Sequence, residues 1–210
     1  MKNLIIIGSG GMGREIYNLA TVCEGYNKEY QIKGFLDDWP DAINSFKNYP
    51  PVLGTVNDYN IEPDDVFICS FGDVENKIKK VQTILNKGGG FINLIHPSAS
   101  VHYNAEIGSG CIILQNAVIG VNTIIGDHSL IQVSTVIGHD AKIGSFCRLD
   151  CNVVCVGGVV IKDSVTVHTA SVINHNVTIE KGASVGAMSF VIRNVKENTT
   201  VYGNPAVRLK

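Results

Sequence analysis

From Ile95 onward the chain repeats every six residues, and this periodicity restricts the fold more than any other feature. Stepping by six from Ile95 through Val101, Ile107 and Ile113 to Ile179, Val185 and Val191 meets seventeen apolar residues in succession, with no break in register. Four places after each comes a second series, from Ala99, Ala105 and Cys111 to Ser189 and Val195, all small or β-branched. A period of six suits neither the 3.6-residue helix nor an alternating strand. It suits a solenoid whose hexads each form one short strand and one turn, the branched residue filling the interior and the small one sitting under the bend. Glycine at the second place (Gly108, Gly120, Gly126, Gly138, Gly144, Gly186) is expected to relieve the turn. Three hexads close a triangular coil, so the run predicts nearly six coils and, at a strand spacing of ~4.8 Å, a prism roughly 27 Å long.

The residues before this run read differently. Leu4–Ile7 is a buried strand, followed by Gly8-Ser9-Gly10-Gly11-Met12-Gly13 and an amphipathic helix from about Arg14 to Cys23. Gln31–Leu36 and Val66–Cys69 read as further strands, Val74–Asn86 as a second helix, and Trp39–Tyr49 as an irregular, exposed turn. A glycine turn feeding a helix presents bare backbone N–H groups to a phosphate. Gly8, Gly10 and Gly13 satisfy the G-x-G-x-x-G spacing, and Asp37 stands near where a ribose-binding acid would sit. A dinucleotide would need a second mononucleotide half, for which some ninety residues leave no room, so a nucleoside diphosphate carrying a sugar fits better. The expected division is 1–93 for this unit and 94–210 for the solenoid.

Charge and cysteine content exclude several classes. Lys and Arg number 17 against 19 Asp and Glu, a balance that disfavours a nucleic-acid binder. Charged residues make up only 17% of the chain, which suggests surface covered by a partner subunit. No apolar run is long enough for a membrane span, and Met1–Ile7 reads as a strand rather than a signal peptide. Six scattered cysteines without a Cys-x-x-Cys pair point to reduced thiols in a cytoplasm rather than to a disulfide framework or a zinc ribbon.

The whole pattern resembles the bacterial sugar acetyltransferases related to the sialic acid O-acetyltransferases, within the hexapeptide-repeat acyltransferases. Gly8–Gly13, Phe35-Leu36-Asp37-Asp38, Phe71-Gly72-Asp73, the hexads and Val201-Tyr202-Gly203-Asn204-Pro205-Ala206 carry the resemblance. It implies a Rossmann-like βαβαβ unit followed by a left-handed parallel β-helix, assembled as a homotrimer. It also implies acetyl-CoA as co-substrate, no metal, and N-acetylation of a nucleotide-linked 4-amino-6-deoxy sugar destined for cell-surface polysaccharide. Gly10, Gly11 and Met12 would then meet the phosphates, Asp37 and Asp38 the nucleoside, and Gly72 the same cleft. Asp37-Asp38 can equally be an ordinary polar strand end, and Gly72 a tight turn.

Of six histidines, His96, His102 and His168 take the second hexad place and are expected to cap turns, while His128, His139 and His175 are expected to be exposed. His139 stands out because Ile137-Gly138-His139-Asp140 matches the family's base motif. An imidazole near neutrality suits removal of a proton from an attacking amine, and Asp140 would orient it. One coil later stands Gly157, whose bare N–H could stabilise a thioester oxyanion. The amine is itself the nucleophile, so no acyl-enzyme is needed, and Cys147 and Cys155 fall on inward places. Motif alignment puts Arg148, Thr169 and Ala187 against acetyl-CoA, with Asn204, Pro205 and Arg208 flanking its adenine end. A relative has His in place of Arg148, and the usually Gly/Ala-rich hexads here read Lys162-Asp163-Ser164 and His168-Thr169-Ala170. Arg148 could therefore pair with a coenzyme phosphate or be solvated.

Three alternatives remain open from the sequence. O-acetylation of a sialic-acid-type sugar keeps the chemistry and changes the acceptor. A sugar-nucleotide-binding scaffold with a decayed acyl site would be non-enzymatic. A γ-carbonic-anhydrase-like zinc enzyme would use His139 and His175, two coils apart, yet Glu180 stands where a third histidine should follow.

Overall fold

The computed structural model describes residues 1–209, which divide into two compact units, the first Met1–Pro97 and the second from Ser98 onward. In the first, β1 (Lys2–Ile7), β2 (Tyr30–Leu36), β3 (Asp65–Cys69) and β4 (Gly90–Phe91) form a four-stranded sheet in the order β2-β1-β3-β4, all parallel. Leu4, Ile5, Ile6 and Ile7 are all fully buried, as a parallel sheet covered on both faces requires. Helices α1 (Gly11–Val22) and α2 (Val74–Asn86) supply the crossovers. The short β4 falls in a stretch that the sequence offers only as a glycine-rich exit. The Trp39–Tyr49 turn is irregular as expected, but it buries Ile43 and lays Phe46 under the Arg14 guanidinium, 3.8 Å from the ring centroid.

The second unit is a left-handed parallel β-helix. From Ser100–Val101 to Phe190–Val191 its strands are two residues long, and each pairs in parallel with the strand eighteen positions away. One face runs from Ser100–Val101 to Phe190–Val191, a second from Glu106–Ile107 to Thr178–Ile179, and a third from Ile112–Ile113 to Ser184–Val185. The branched series fills the interior: Ile113, Ile119, Ile131, Ile137, Leu149, Val167, Ile173 and Ile179 are completely buried. Each such side chain contributes roughly 1.5–3 kcal/mol by leaving water. From Cys111 onward the small series is buried as well, and its hydroxyls have a fixed outlet. Thr123 Oγ1 donates to Gly138 O, Ser129 Oγ to Gly144 O, Thr135 Oγ1 to Asp150 O and Ser171 Oγ to Gly186 O, each at 2.7–2.9 Å. A residue larger than Ser, Thr, Cys or Val at this place would lose that position under the next coil's carbonyl.

Three expectations need correction. The turn is not relieved by the second-place glycines: left-handed backbone falls two places later, at every sixth residue from Asn104 to Met188, and only Gly110, Gly158 and Gly182 of those are glycine. Second-place glycine answers a different demand, close approach of the next coil. A Cβ on Gly120 would lie 2.7 Å from both Gly138 C and His139 N. The repeat also ends early. Val195 bridges Ile179 and Val201 pairs with Val185, each sixteen residues away rather than eighteen, so Val195 takes the interior-series place and the last coil is two residues short. Finally, His128 is buried rather than exposed, stacked on Phe146 with ring centroids 5.0 Å apart. None of the helices in the described residues is long and apolar enough to cross a membrane.

Candidate active site

Two sites emerge, one in each unit. In the first, Gly8 turns the chain at φ +96°, and α1 begins at Gly11 with no side-chain cap and no acid in its first turn. The other helix is built in the opposite way: Asp73 accepts from Asn76 N at 2.8 Å, and Glu75 sits in the first turn. Only α1 therefore offers uncapped amides beside positive dipole charge. Gly13 packs against the Gly8 carbonyl and leaves no room for a Cβ, whereas Gly10 and Gly11 face open space. Nothing in the packing demands glycine at Gly11. Close approach of a ligand would. Gly10, Gly11, Met12, Asp37, Asp38, Trp39, Phe71 and Gly72 line a cleft of about 480 Å³ there.

The two aspartates differ. Asp37 accepts from Ser9 N (2.8 Å) and Ser9 Oγ (2.7 Å) on one oxygen and from Trp39 N (3.1 Å) on the other, so it pins the glycine loop. Burial pushes its pKa up, but these hydrogen bonds outweigh burial and hold the carboxyl below its ordinary value. Asp38 is exposed and pairs with Lys80 at 2.7 Å. The exposed Trp39 went unmarked by sequence reasoning because no motif contains it.

In the prism, the first-to-second-face corner stacks His139, Gly157 and His175 on successive coils, as the pairings Ile137↔Cys155 and Cys155↔Ile173 require. His139 Nδ1 lies 2.7 Å from Asp140 Oδ2, with both side chains exposed. Asp140 sits in the left-handed region at φ +57°, and Asn122 Nδ2 donates to its other oxygen at 3.3 Å. The contacts with His139 and then Asn122 lower the Asp140 pKa. Held this way, the carboxylate fixes Nδ1 and leaves Nε2 for chemistry.

The ring lies over Gly157: a Cβ there would meet His139 Nε2 and Cε1, both at 2.5 Å. The Gly157 amide donates no hydrogen bond to any described residue. Its carbonyl accepts from Asn176 N and lies 3.2 Å from His175 Nδ1, which orients the peptide. Asn122 was missed by sequence reasoning, although the eighteen-residue step from Asp140 reaches it; His175 was placed in this column by the same step, but as a possible metal ligand rather than a support for Gly157. With its Nδ1 on a carbonyl, His175 is placed as a support, and the described residues contain no group of three or more His, Cys, Asp or Glu able to hold a metal ion.

The remaining candidates scatter. Arg148 is half-buried and paired with Asp150: Nε donates to Oδ1 at 2.6 Å and a terminal nitrogen to Oδ2 at 3.1 Å. His168 caps no turn with its ring, whose Nδ1 lies 3.1 Å from Asp150. Buried Asp150 thus gathers Arg148, His168 and Gln132. Thr169 and Ala187 are exposed, and the Asn204–Pro205 bond is cis. Arg208 is exposed beside Val207 at the chain's closing strand. Burial pushes the Cys147 and Cys155 thiols up to about 12, so neither is a nucleophile near neutrality.

An open-ended glycine cleft and a surface imidazole on a coiled corner define a two-part hexapeptide-repeat protein with a nucleotide-type front unit. Residues 3–84 match the PglD N-terminal domain family. The chain is 32% identical over 119 residues to the UDP-N-acetylbacillosamine N-acetyltransferase of Bacillus subtilis strain 168, covering 54% of this chain and 52% of that protein. The chain thus spans about half the length of that curated relative. Among solved structures it is similar to the acetyltransferase domain of PglB from Neisseria gonorrhoeae FA1090 in complex with acetyl coenzyme A, at TM-score 0.89 and 25% identity over 99% of both chains. It is also similar in fold to PerB from Caulobacter crescentus, solved with CoA and GDP-perosamine, at TM-score 0.89 and 23% identity over 100% of this chain and 98% of that one.

Proposed function

We propose that the protein is an acetyl-CoA-dependent N-acetyltransferase acting on the amino group of a nucleotide-linked 4-amino-6-deoxy sugar. The observation that carries this reading is His139, braced by Asp140 on one nitrogen and lying over the bare Gly157 amide. The sugar's amine attacks the thioester carbonyl carbon directly. His139 Nε2 takes the proton from the attacking nitrogen, and the Gly157 N–H stabilises the oxyanion. Collapse breaks the C–S bond, and the departing thiolate takes the proton back from the imidazolium. The products are amide and coenzyme A.

The front cleft holds the nucleoside diphosphate, its phosphates on the amides of Gly10, Gly11 and Met12 and its nucleoside toward Asp37, Asp38 and Gly72. That the curated relative acts on a UDP-linked sugar, and that PerB was solved with a GDP-linked one, supports the substrate class. Thr169 and Ala187 contact the coenzyme through their backbone, and Asn204, Pro205 and Arg208 flank its adenine end. Arg148 acts through its pairing with Asp150. The working form is a cytoplasmic homotrimer with coenzyme A in the groove between adjacent prisms. Outward-facing Val118, Val136, Val154, Val172 and Phe190, all on one face, support such burial.

The test is a panel of UDP-, dTDP- and GDP-linked 4-amino sugars with acetyl-CoA, following thiol release. Turnover with at least one supports the reading. Thiol release with a sialic-acid-type sugar alone would transfer the chemistry to a hydroxyl.

A further inference from the structure

The front cleft is lined by two carboxylates, Asp37 and Asp38, and none of its lining residues is Lys or Arg. A diphosphate entering it meets negative charge on one wall. Against that, the uncapped start of α1 supplies only about half a positive charge. The shortfall calls for a cation. Arg14 is engaged elsewhere: its guanidinium stacks on Phe46, and Nη1 donates to Ser9 O at 3.4 Å. Lys77, on α2, is buried.

Lys80 is placed differently. It reaches from α2 to the end of β2, forty-two residues away in the chain, and Nζ donates to both oxygens of Asp38, at 2.8 and 2.7 Å. The lysine side chain is 20% exposed and that of Asp38 59%, so the stem is packed while the carboxylate stays open to water. An ion pair open to water on one side is weak and separates at little cost. Asp37 has no such freedom, because its oxygens are taken by Ser9 and the Trp39 N–H. Asp38 is therefore the carboxylate of the cleft that can change partners.

We infer that the Lys80–Asp38 pair is a charge exchange that makes the cleft selective for a nucleoside and a diphosphate joined in one molecule. The sugar hydroxyls of the nucleoside donate to Asp38 and displace Lys80, and the released ammonium turns to the phosphates. Each half of the ligand opens the contact that the other half needs, which couples the two binding events. A free nucleoside breaks the pair and leaves the lysine without a counter-charge. A free pyrophosphate that draws Lys80 away leaves Asp38 as an unneutralised neighbour. The inference rests on the nucleotide reading of the front cleft and adds Lys80, which belongs to no motif, as the residue that sets this selectivity.

The experiment is titration calorimetry on the full chain, on Lys80→Met, on Asp38→Asn and on the double variant. The probes are UDP, GDP and dTDP, their free nucleosides and inorganic pyrophosphate, with weak ligands measured by displacement of the diphosphate. Lys80→Met should weaken the preferred nucleoside diphosphate about tenfold and tighten its free nucleoside, because Asp38 is then open. Asp38→Asn should tighten pyrophosphate about tenfold, because Lys80 is then free, and the double variant should lose that gain. A lysine that merely holds Asp38 in place predicts the opposite for the nucleoside, which would bind Lys80→Met more weakly. That result, or unchanged pyrophosphate binding in Asp38→Asn, overturns the inference and leaves the nucleotide reading of the cleft in place. Binding of none of the diphosphates by the unsubstituted chain overturns both. Should Lys80→Met not fold, the pyrophosphate measurement on Asp38→Asn decides alone.

Discussion

A Cβ on Gly157 would stand 2.5 Å from Nε2 of His139, so the glycine is empty because the imidazole occupies the space. Gly157 is not in the left-handed region, and its backbone tolerates alanine. The ring, not the coil, must move. Gly157→Ala should therefore fold with an unchanged circular dichroism spectrum and lose about 10²-fold in turnover, as displaced general bases do. A variant with full activity would show that ring placement over this amide is irrelevant to rate.

The front cleft contains the protein's one tryptophan, and Trp39 is 76% exposed at its edge. Binding of a nucleoside diphosphate there should change the intrinsic fluorescence of Trp39, saturably, with UDP, dTDP or GDP. Trp39→Phe should abolish the signal while calorimetry still detects binding. A nucleotide that binds without altering the emission would place the site elsewhere.

Asp37 links the cleft to stability against acid. Its carboxyl is held below the ordinary value of 3.8, so between its native and unfolded pKa the unfolded chain binds more protons. Its stabilisation is complete above the unfolded value and is lost as the pH falls through the native one. Asp37→Asn should be less stable than the parent at pH 7, and the difference should shrink below about pH 4. Urea midpoints at pH 7 and pH 3 measure this. A constant gap would mean that Asp37 contributes through shape and not charge.

Two places in the hexad should respond in opposite ways to the presence of a side chain. Met188 is exposed with φ +57°, a conformation that costs an ordinary residue ~1–2 kcal/mol, so Met188→Gly should raise the melting temperature. Gly120→Ala should lower it, because the added methyl meets the backbone of Gly138 and His139. Thermal denaturation of the two variants tests the assignment of left-handed geometry to the fourth place and close approach to the second.

These same places mark what the sequence reveals and what it conceals. Burial of the first and fifth places is written in residue size, so Ile137 and Thr135 announce their positions. Backbone handedness is not, because Asn, His, Ser, Asp, Phe, Ala and Met all occupy the left-handed place, and the visible glycines at Gly120 and Gly138 answer another need. His139, Asp140 and Gly157 are legible through a motif and an eighteen-residue step. Asn122, one step back from Asp140, obeys the same step but belongs to no motif. The early close at Val195 is invisible because its size suits either series. His128 breaks the expectation of exposure because Phe146, one coil away, covers it.

The most direct measurement is acetyl transfer by His139→Ala to a nucleotide-linked 4-amino sugar, with acetyl-CoA binding measured in parallel. The account predicts a fall in turnover of ~10²-fold or more while acetyl-CoA still binds. Turnover close to that of the unsubstituted protein would contradict it.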